Sequence, residues 1–199
     1  MFPLIETIKV IDGIPQNLSY HQYRFEASYF KLYKELAHIR LADVIQVPEE
    51  HRKGLVKLRF LYNQSDCFCQ YDLYQSKPVH TLKLVFDNAI DYSLKWVNRK
   101  QLEKLLQQKE RADEILIVKN NRITDTSFTN IVFSDGKTWF TPQFPLLHGT
   151  ARARLLDEKK IKVADIAPEA LLDFKSFKLI NAMLDFDTAE KLPIKNIIF

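Results

Sequence analysis

The chain has 199 residues, 46% of them hydrophobic and 12% aromatic, which is enough apolar material to fill one large core or two small ones. Its formal net charge of +4, from 29 basic and 25 acidic side chains, is spread along the sequence. That distribution argues against nucleic acid as a partner and suits a small anionic ligand. No apolar run reaches the roughly 18 residues of a membrane span, and MFPLIETIKV lacks the zones of a signal peptide, so a cytoplasmic protein with no membrane partner is expected.

Residues 4–11, LIETIKVI, alternate as a strand, and Asp12-Gly13 marks a hairpin turn. Ser19 stands ready to cap a helix through YHQYRFEASYFKLYKELAHI. In it Tyr23, Ala27, Phe30 and Ala37 recur at helical spacing and define the expected buried face, while His21, Arg24 and Ser28 share another. Pro48 opens a short helix with an acidic start, and LVKLRFLY (55–62) alternates Leu55, Lys57 and Arg59 against Val56, Leu58, Phe60 and Tyr62. FCQYDLY and TLKLVF read as two more strands. In DYSLKWVNRK (91–100) a strand would put Tyr92, Leu94 and Trp96 on one side and Ser93, Lys95 and Val97 on the other.

A helix follows at about 99 to 110, then EILIVK, a turn at Asn120-Asn121, TNIVF, a turn at Asp135-Gly136, and TWF. Gly149 precedes a helix of about ten residues, Pro168 opens another, and FKLINAML reads as a buried strand. The order predicts a mixed α/β (α+β) chain with no linker and two closely packed domains: 1–87, a small α/β domain, and 88–199, a larger strand-rich one.

Several chemistries have no residues to carry them. The four glycines, at 13, 54, 136 and 149, form neither a dinucleotide fingerprint nor a P-loop. Histidines 21, 38, 51, 80 and 148 show no metal-ligand spacing, and Cys67 and Cys69 complete no four-ligand set, so no metal is expected. No G-x-S-x-G elbow exists for a serine hydrolase. Lysine, acids, arginine and backbone remain. By itself Lys95 is open to two readings, a strand lysine with its head in water or a chemically active amine.

Taken in order, YHQYRFEAS, YSLKWVNR, NNRITDTSFTNIVF and FTPQFPLLHGTARARLL resemble segments of the class IV aminotransferases, the fold-type IV enzymes that use pyridoxal phosphate. The resemblance runs from Leu4 to Leu184. It implies the fold-type IV arrangement, a homodimer, pyridoxal 5'-phosphate as cofactor, and a small amine bearing a carboxylate as substrate. Lys95 matches the lysine whose amine holds the cofactor and moves a proton at the substrate carbon. Asp125 stands where the family usually has a glutamate facing the ring nitrogen; outside the resemblance it reads as an aspartate flanking a turn.

Arg24 matches the arginine that clamps the phosphate. Gly149-Thr150-Ala151-Arg152 stands for a Gly-Ile-Thr-Arg turn whose amides, here of Thr150 and Ala151, would bind phosphate oxygens; the family's threonine hydroxyl falls at Ala151. Asn181, in LINAML, matches a segment at the phosphate end, or else caps a strand. Lys57 and Arg59 match the carboxylate-binding strand, with a solvated strand face as the alternative, and Thr7 matches a pocket-lining position.

KWVNR and LINAML bring the chain nearest to family members that cleave 4-amino-4-deoxychorismate to 4-aminobenzoate and pyruvate in folate synthesis. The alternative is an aminotransferase acting on branched-chain or D-amino acids. A third reading is a binding protein that keeps the fold without its chemistry, in view of Asp125, Ala151 and a first matching segment placed almost at Met1.

Overall fold

Alternation in LIETIKVI, and strictly in LVKLRFLY, builds the first sheet of the computed structural model, which describes residues 1–199. Two units emerge, Met1–Ser76 with Leu94–Asn98, and Lys77–Ser93 with Arg99–Phe199.

The first unit contains β1 (Leu4–Ile11), β2 (Ile14–Pro15), α1 (Leu18–Tyr33), α2 (Leu41–Val44), β3 (Leu55–Tyr62) and β4 (Cys67–Leu73). Its sheet runs β2-β1-β3-β4. Asp12 and Gly13 both take positive φ, 47° and 82°, the turn conformation whose twist matches a tight hairpin. β1 and β3 pair antiparallel from Leu4↔Tyr62 to Ile11↔Leu55. Leu4, Ile8, Val10, Val56, Leu58, Phe60 and Tyr62 are all fully buried on one face, and α1 lays Phe25 and Tyr29 against them. The Phe25 ring meets Tyr62 edge-on at 4.7 Å and Phe60 at 5.8 Å.

The buried face of α1 is not the one expected. His21, Phe25, Ser28 and Tyr29 are buried, whereas Tyr23 and Phe30 are 76% and 52% exposed. Two stripes compete on this helix, and the one with polar members wins because the sheet offers those members a partner, described below. The helix also begins at Leu18 behind Asn17 rather than Ser19, and ends at Tyr33 because Lys34 turns left-handed (φ 60°), leaving Ala37 outside it.

The second unit contains β5 (Leu82–Phe86), α3 (Lys100–Leu106), β6 (Glu114–Lys119), β7 (Arg122–Thr126), β8 (Asn130–Ser134), β9 (Trp139–Pro142), α4 (Thr150–Asp157), β10 (Lys162–Ala164), β11 (Ser176–Ile180), β12 (Leu192–Pro193) and β13 (Ile197–Ile198). The strands form two sheets, β13-β5-β6-β7 and β10-β9-β8-β11-β12. Between them lies an apolar layer with Leu82, Leu116 and Ile123 on one side and Ile131, Phe133 and Phe177 on the other. α3 covers the outer face of the first sheet through Leu102 and Leu105 against Ile115 and Ile117. α4 covers the second through Leu155 against Val132 and Ile180. β6 is therefore buried on both faces, which is why EILIVK reads as an unbroken apolar run after its glutamate.

Three expectations need correction. DYSLKWVNRK forms no strand: Asp91 Oδ1 accepts the Ser93 amide at 2.9 Å and Trp96 N–H turns back to the Leu94 carbonyl at 2.9 Å, so only a single bridge, Trp96 to Leu4, survives. FKLINAML stops as a strand at Ile180, because Asn181 Oδ1 accepts the amides of Met183 and Leu184 and closes a turn. The 87/88 boundary also shifts, since β5 pairs in parallel with β6 and so belongs to the second unit, while 94–98 belongs to the first.

Candidate active site

Glu6 occupies an inward position of β1 between Leu4 and Ile8 and is fully buried. A buried carboxylate requires partners, and α1 supplies them one turn apart. Arg24 donates from Nε to Oε1 at 2.8 Å and from Nη2 to Oε2 at 2.5 Å, while His21 Nδ1 lies 2.6 Å from Oε2. Burial raises the Glu6 pKa, but the Arg24 charge and the hydrogen bonds from His21 and Arg24 override it and hold the group at about 2. Burial pushes His21 down, against the pull of Glu6, so the imidazole is neutral and carries its proton on the nitrogen that faces the carboxylate. The side-on fork through Nε and Nη2 fixes the Arg24 plane and turns its Nη1 side away from Glu6.

Lys95 is half-buried, flanked by Leu94 and Trp96 in the first unit's apolar cluster, and its carbonyl accepts the Ile5 amide at 3.1 Å. Its charge is among those that lower the His21 pKa. On the sheet face opposite α1, Thr7 lies across from Arg59 in register and Lys57 across from Lys9. Arg59 donates to Asp72 at 3.1 Å, while its Nε is buried without an acceptor. Lys57 Nζ sits 5.8 Å from the Tyr74 ring centre.

In the second unit Asp125, 4% exposed on β7, accepts from Asn130 Nδ2 at 2.7 Å on Oδ1 and from the Leu147 amide at 2.9 Å on Oδ2. Asn130 also donates to the Leu147 carbonyl at 2.9 Å, which closes the three residues into one ring of bonds. Burial raises the Asp125 pKa to about 6, against its hydrogen bonds and the more remote charge of Arg152. A cavity of about 410 Å³ lined by Lys119, Arg122, Thr124 and Leu146 opens on the other side of β7, since neighbouring side chains alternate.

Gly149 caps α4, and a Cβ there would overlap Asn130 Oδ1. Asn130 thus joins Asp125 to the Gly149 turn. Thr150 and Ala151 are buried at the helix start, where the first intrahelical bond comes from Ala153 N–H to the Gly149 carbonyl at 2.9 Å. The Asn181 oxygen is taken up by its own turn, and its Nδ2 lies 3.5 Å from the Phe128 carbonyl.

Glu6, His21, Asn130 and Arg152 escaped the sequence reading as site residues. For Glu6 a signal was present, an acid at an inward position of an alternating strand; His21 and Arg24 share a helix face. Asn130 and Arg152 carried none beyond their motifs.

A model of the class IV amino-transferase family matches residues 3–197. An uncharacterized protein of Haemophilus influenzae is 40% identical over 185 residues, covering 92% of this chain and 98% of its own. A crystal structure of a Haemophilus somnus protein, provisionally named 4-amino-4-deoxychorismate lyase, superposes with a TM-score of 0.85 at 43% identity, covering 92% of this chain and 97% of that one. A Mesorhizobium loti protein provisionally named amino-acid aminotransferase shares the fold, with a TM-score of 0.80 at 22% identity over 97% of this chain and 98% of its own.

Proposed function

Because the chain belongs to the class IV aminotransferase family, we propose that it is a pyridoxal-phosphate enzyme that cleaves 4-amino-4-deoxychorismate to 4-aminobenzoate and pyruvate. The observation that carries this reading is the likeness, at 43% identity over 92% of the chain, to the Haemophilus somnus protein that bears the lyase name. A homodimer, a cytoplasmic location and a role in folate synthesis go with it.

The donor set suits the cofactor. Only glycine leaves room for Asn130 beside the start of α4, where the helix dipole favours a phosphate. A carboxyl with a midpoint of about 6 can stand as an anion beside a protonated ring nitrogen. Lys95 would hold the cofactor through its amine, Asp125 would face the ring nitrogen, and Arg24, Thr150, Ala151 and Asn181 would serve the phosphate end. Glu6 holds the Arg24 guanidinium in plane for that task. When bound, pyridoxal phosphate supplies an electron sink that stabilises negative charge on the substrate carbon. Lys95 takes and returns the proton at that carbon. Arg59 and Lys57, with Thr7 beside Arg59, meet the substrate carboxylates, and the buried Arg59 Nε is a donor that such a carboxylate satisfies.

Purified protein mixed with pyridoxal phosphate should gain a visible absorption band, and borohydride should then fix the label on Lys95. Label on another lysine overturns the assignment. Pyruvate should be released from 4-amino-4-deoxychorismate with no keto acid present; strict dependence on a keto acid would make the protein an aminotransferase instead.

A further inference from the structure

Glu114 opens β6 as the only acid in EILIVK and is 4% exposed. Its backbone is engaged by the neighbouring strand, pairing with Leu82 and donating to the Thr81 carbonyl at 3.2 Å, so the side chain is not required for the sheet. That side chain reaches instead to the turn that follows β7. Oε2 accepts from Ser127 Oγ at 2.8 Å, and Oε1 from the Ser127 amide at 3.4 Å and the Ile115 amide at 2.7 Å. From the other side Arg99 Nη2 donates to the Ser127 carbonyl at 2.7 Å.

The turn itself is tightly bonded: the Thr126 and Thr129 hydroxyls meet at 2.8 Å, and the Thr129 amide donates to Thr126 Oγ1 at 3.0 Å. Asp125 precedes this turn and Asn130 follows it, and the two are joined at 2.7 Å. The four residues between them therefore share in setting the Asn130–Asp125 bond, together with Leu147 and the Gly149 turn. Their one acidic anchor outside the turn is Glu114, whose carboxyl burial pushes up against its hydrogen bonds and the charge of Arg99. A carboxylate kept in a dry position where an apolar residue would pack at lower cost has a task beyond packing.

We propose that Glu114 is a positioning residue which, through Ser127, holds the Thr126–Thr129 turn so that Asn130 donates to Asp125. The consequence for catalysis rests on the reading of Asp125 as the carboxylate facing the cofactor's ring nitrogen; the positioning itself does not.

Carbon-13 titration of the Asp125 carboxyl in the full cofactor-free chain tests the positioning, and titration with pyridoxal phosphate tests its consequence. In Glu114→Ala and Ser127→Ala the Asp125 midpoint should rise by about half a unit or more as the Asn130 bond loosens. Cofactor affinity should weaken about tenfold. Glu114→Gln, which keeps a carbonyl oxygen for these donors, should restore most of both. Should Glu114→Ala fail to fold, Ser127→Ala, which loses a single hydroxyl, decides the matter. A lowered melting temperature with an unmoved Asp125 midpoint overturns the proposal. If the midpoint moves in the variants while the parent chain binds no pyridoxal phosphate, the positioning stands and the cofactor reading falls.

Discussion

Glu6 and Asp125 are both buried carboxylates with an arginine in the same unit, yet one sits near 2 and the other near 6. Burial is the largest influence on each and raises both. The difference lies in contact. Arg24 forks directly onto Glu6, whereas Arg152 is spent on Thr141 Oγ1 at 3.3 Å and the Pro142 carbonyl at 2.9 Å. Asp125 therefore feels that charge only at range and takes its hydrogen bonds from neutral donors, which bring no opposite charge into contact with it. Glu6 is an anion at neutral pH, bound to a cation that it holds in plane. Asp125 can change charge near neutrality, which is a property that site chemistry uses.

The largest break in this comparison is Glu6→Ala. It strands Arg24 and His21 without their anion and should cost about 3–5 kcal/mol, read by urea unfolding at pH 7. A loss under about 1 kcal/mol would mean the fork is solvated and the contrast with Asp125 false.

Next comes the opposite pH behaviour of the two acids. The folded pKa of Asp125 is raised from 3.8 to about 6, so its contribution is fully present below 3.8 and is lost as pH rises through 6, about 3 kcal/mol in all. Asp125→Asn should flatten the melting-temperature profile of the cofactor-free protein between pH 4 and 6. The Glu6 pKa is depressed, so its contribution is present above 4.5 and lost as pH falls toward 2. A single common slope across both windows would sink the distinction.

Gly149→Ala forces Asn130 away from its place beside Asp125 and should cost about 1–3 kcal/mol. Differential scanning calorimetry gives the loss, and a further rise of the Asp125 midpoint should accompany it. Thr141→Val is the mildest change. It removes one of the groups that occupy Arg152 and should cost about 1 kcal/mol in denaturant unfolding, with the Asp125 pair intact.

What could be read from the chain alone follows the range of each interaction. β3 was legible to the residue because alternation is a local, period-two property of a strand with one buried face. β6 was legible from its apolar run, and class IV family membership from four ordered segments. The fold class follows from that membership. The start of α1 was less legible, since Asn17 in a left-handed conformation took the capping position from Ser19 without a side-chain bond.

The buried face of α1 could not be read locally. Its apolar stripe and its polar stripe have similar spacing, and the choice depends on Glu6, 15 residues before His21 and 18 before Arg24. Likewise DYSLKWVNRK alternates convincingly, yet strand formation needs a continuous pairing partner, and β1 offers Trp96 only its first position, Leu4. The acidity of Asp125 was equally out of reach, because the Leu147 amide that bonds it is 22 residues away.

Residue types, periodicity and motif order are properties of the chain, so the family and the strands with continuous pairing partners were legible from sequence alone. Which carboxylate is locked as an anion and which stays near neutral was decided only by tertiary structure, because electrostatic energy depends on distance and burial, and neither is written in the sequence.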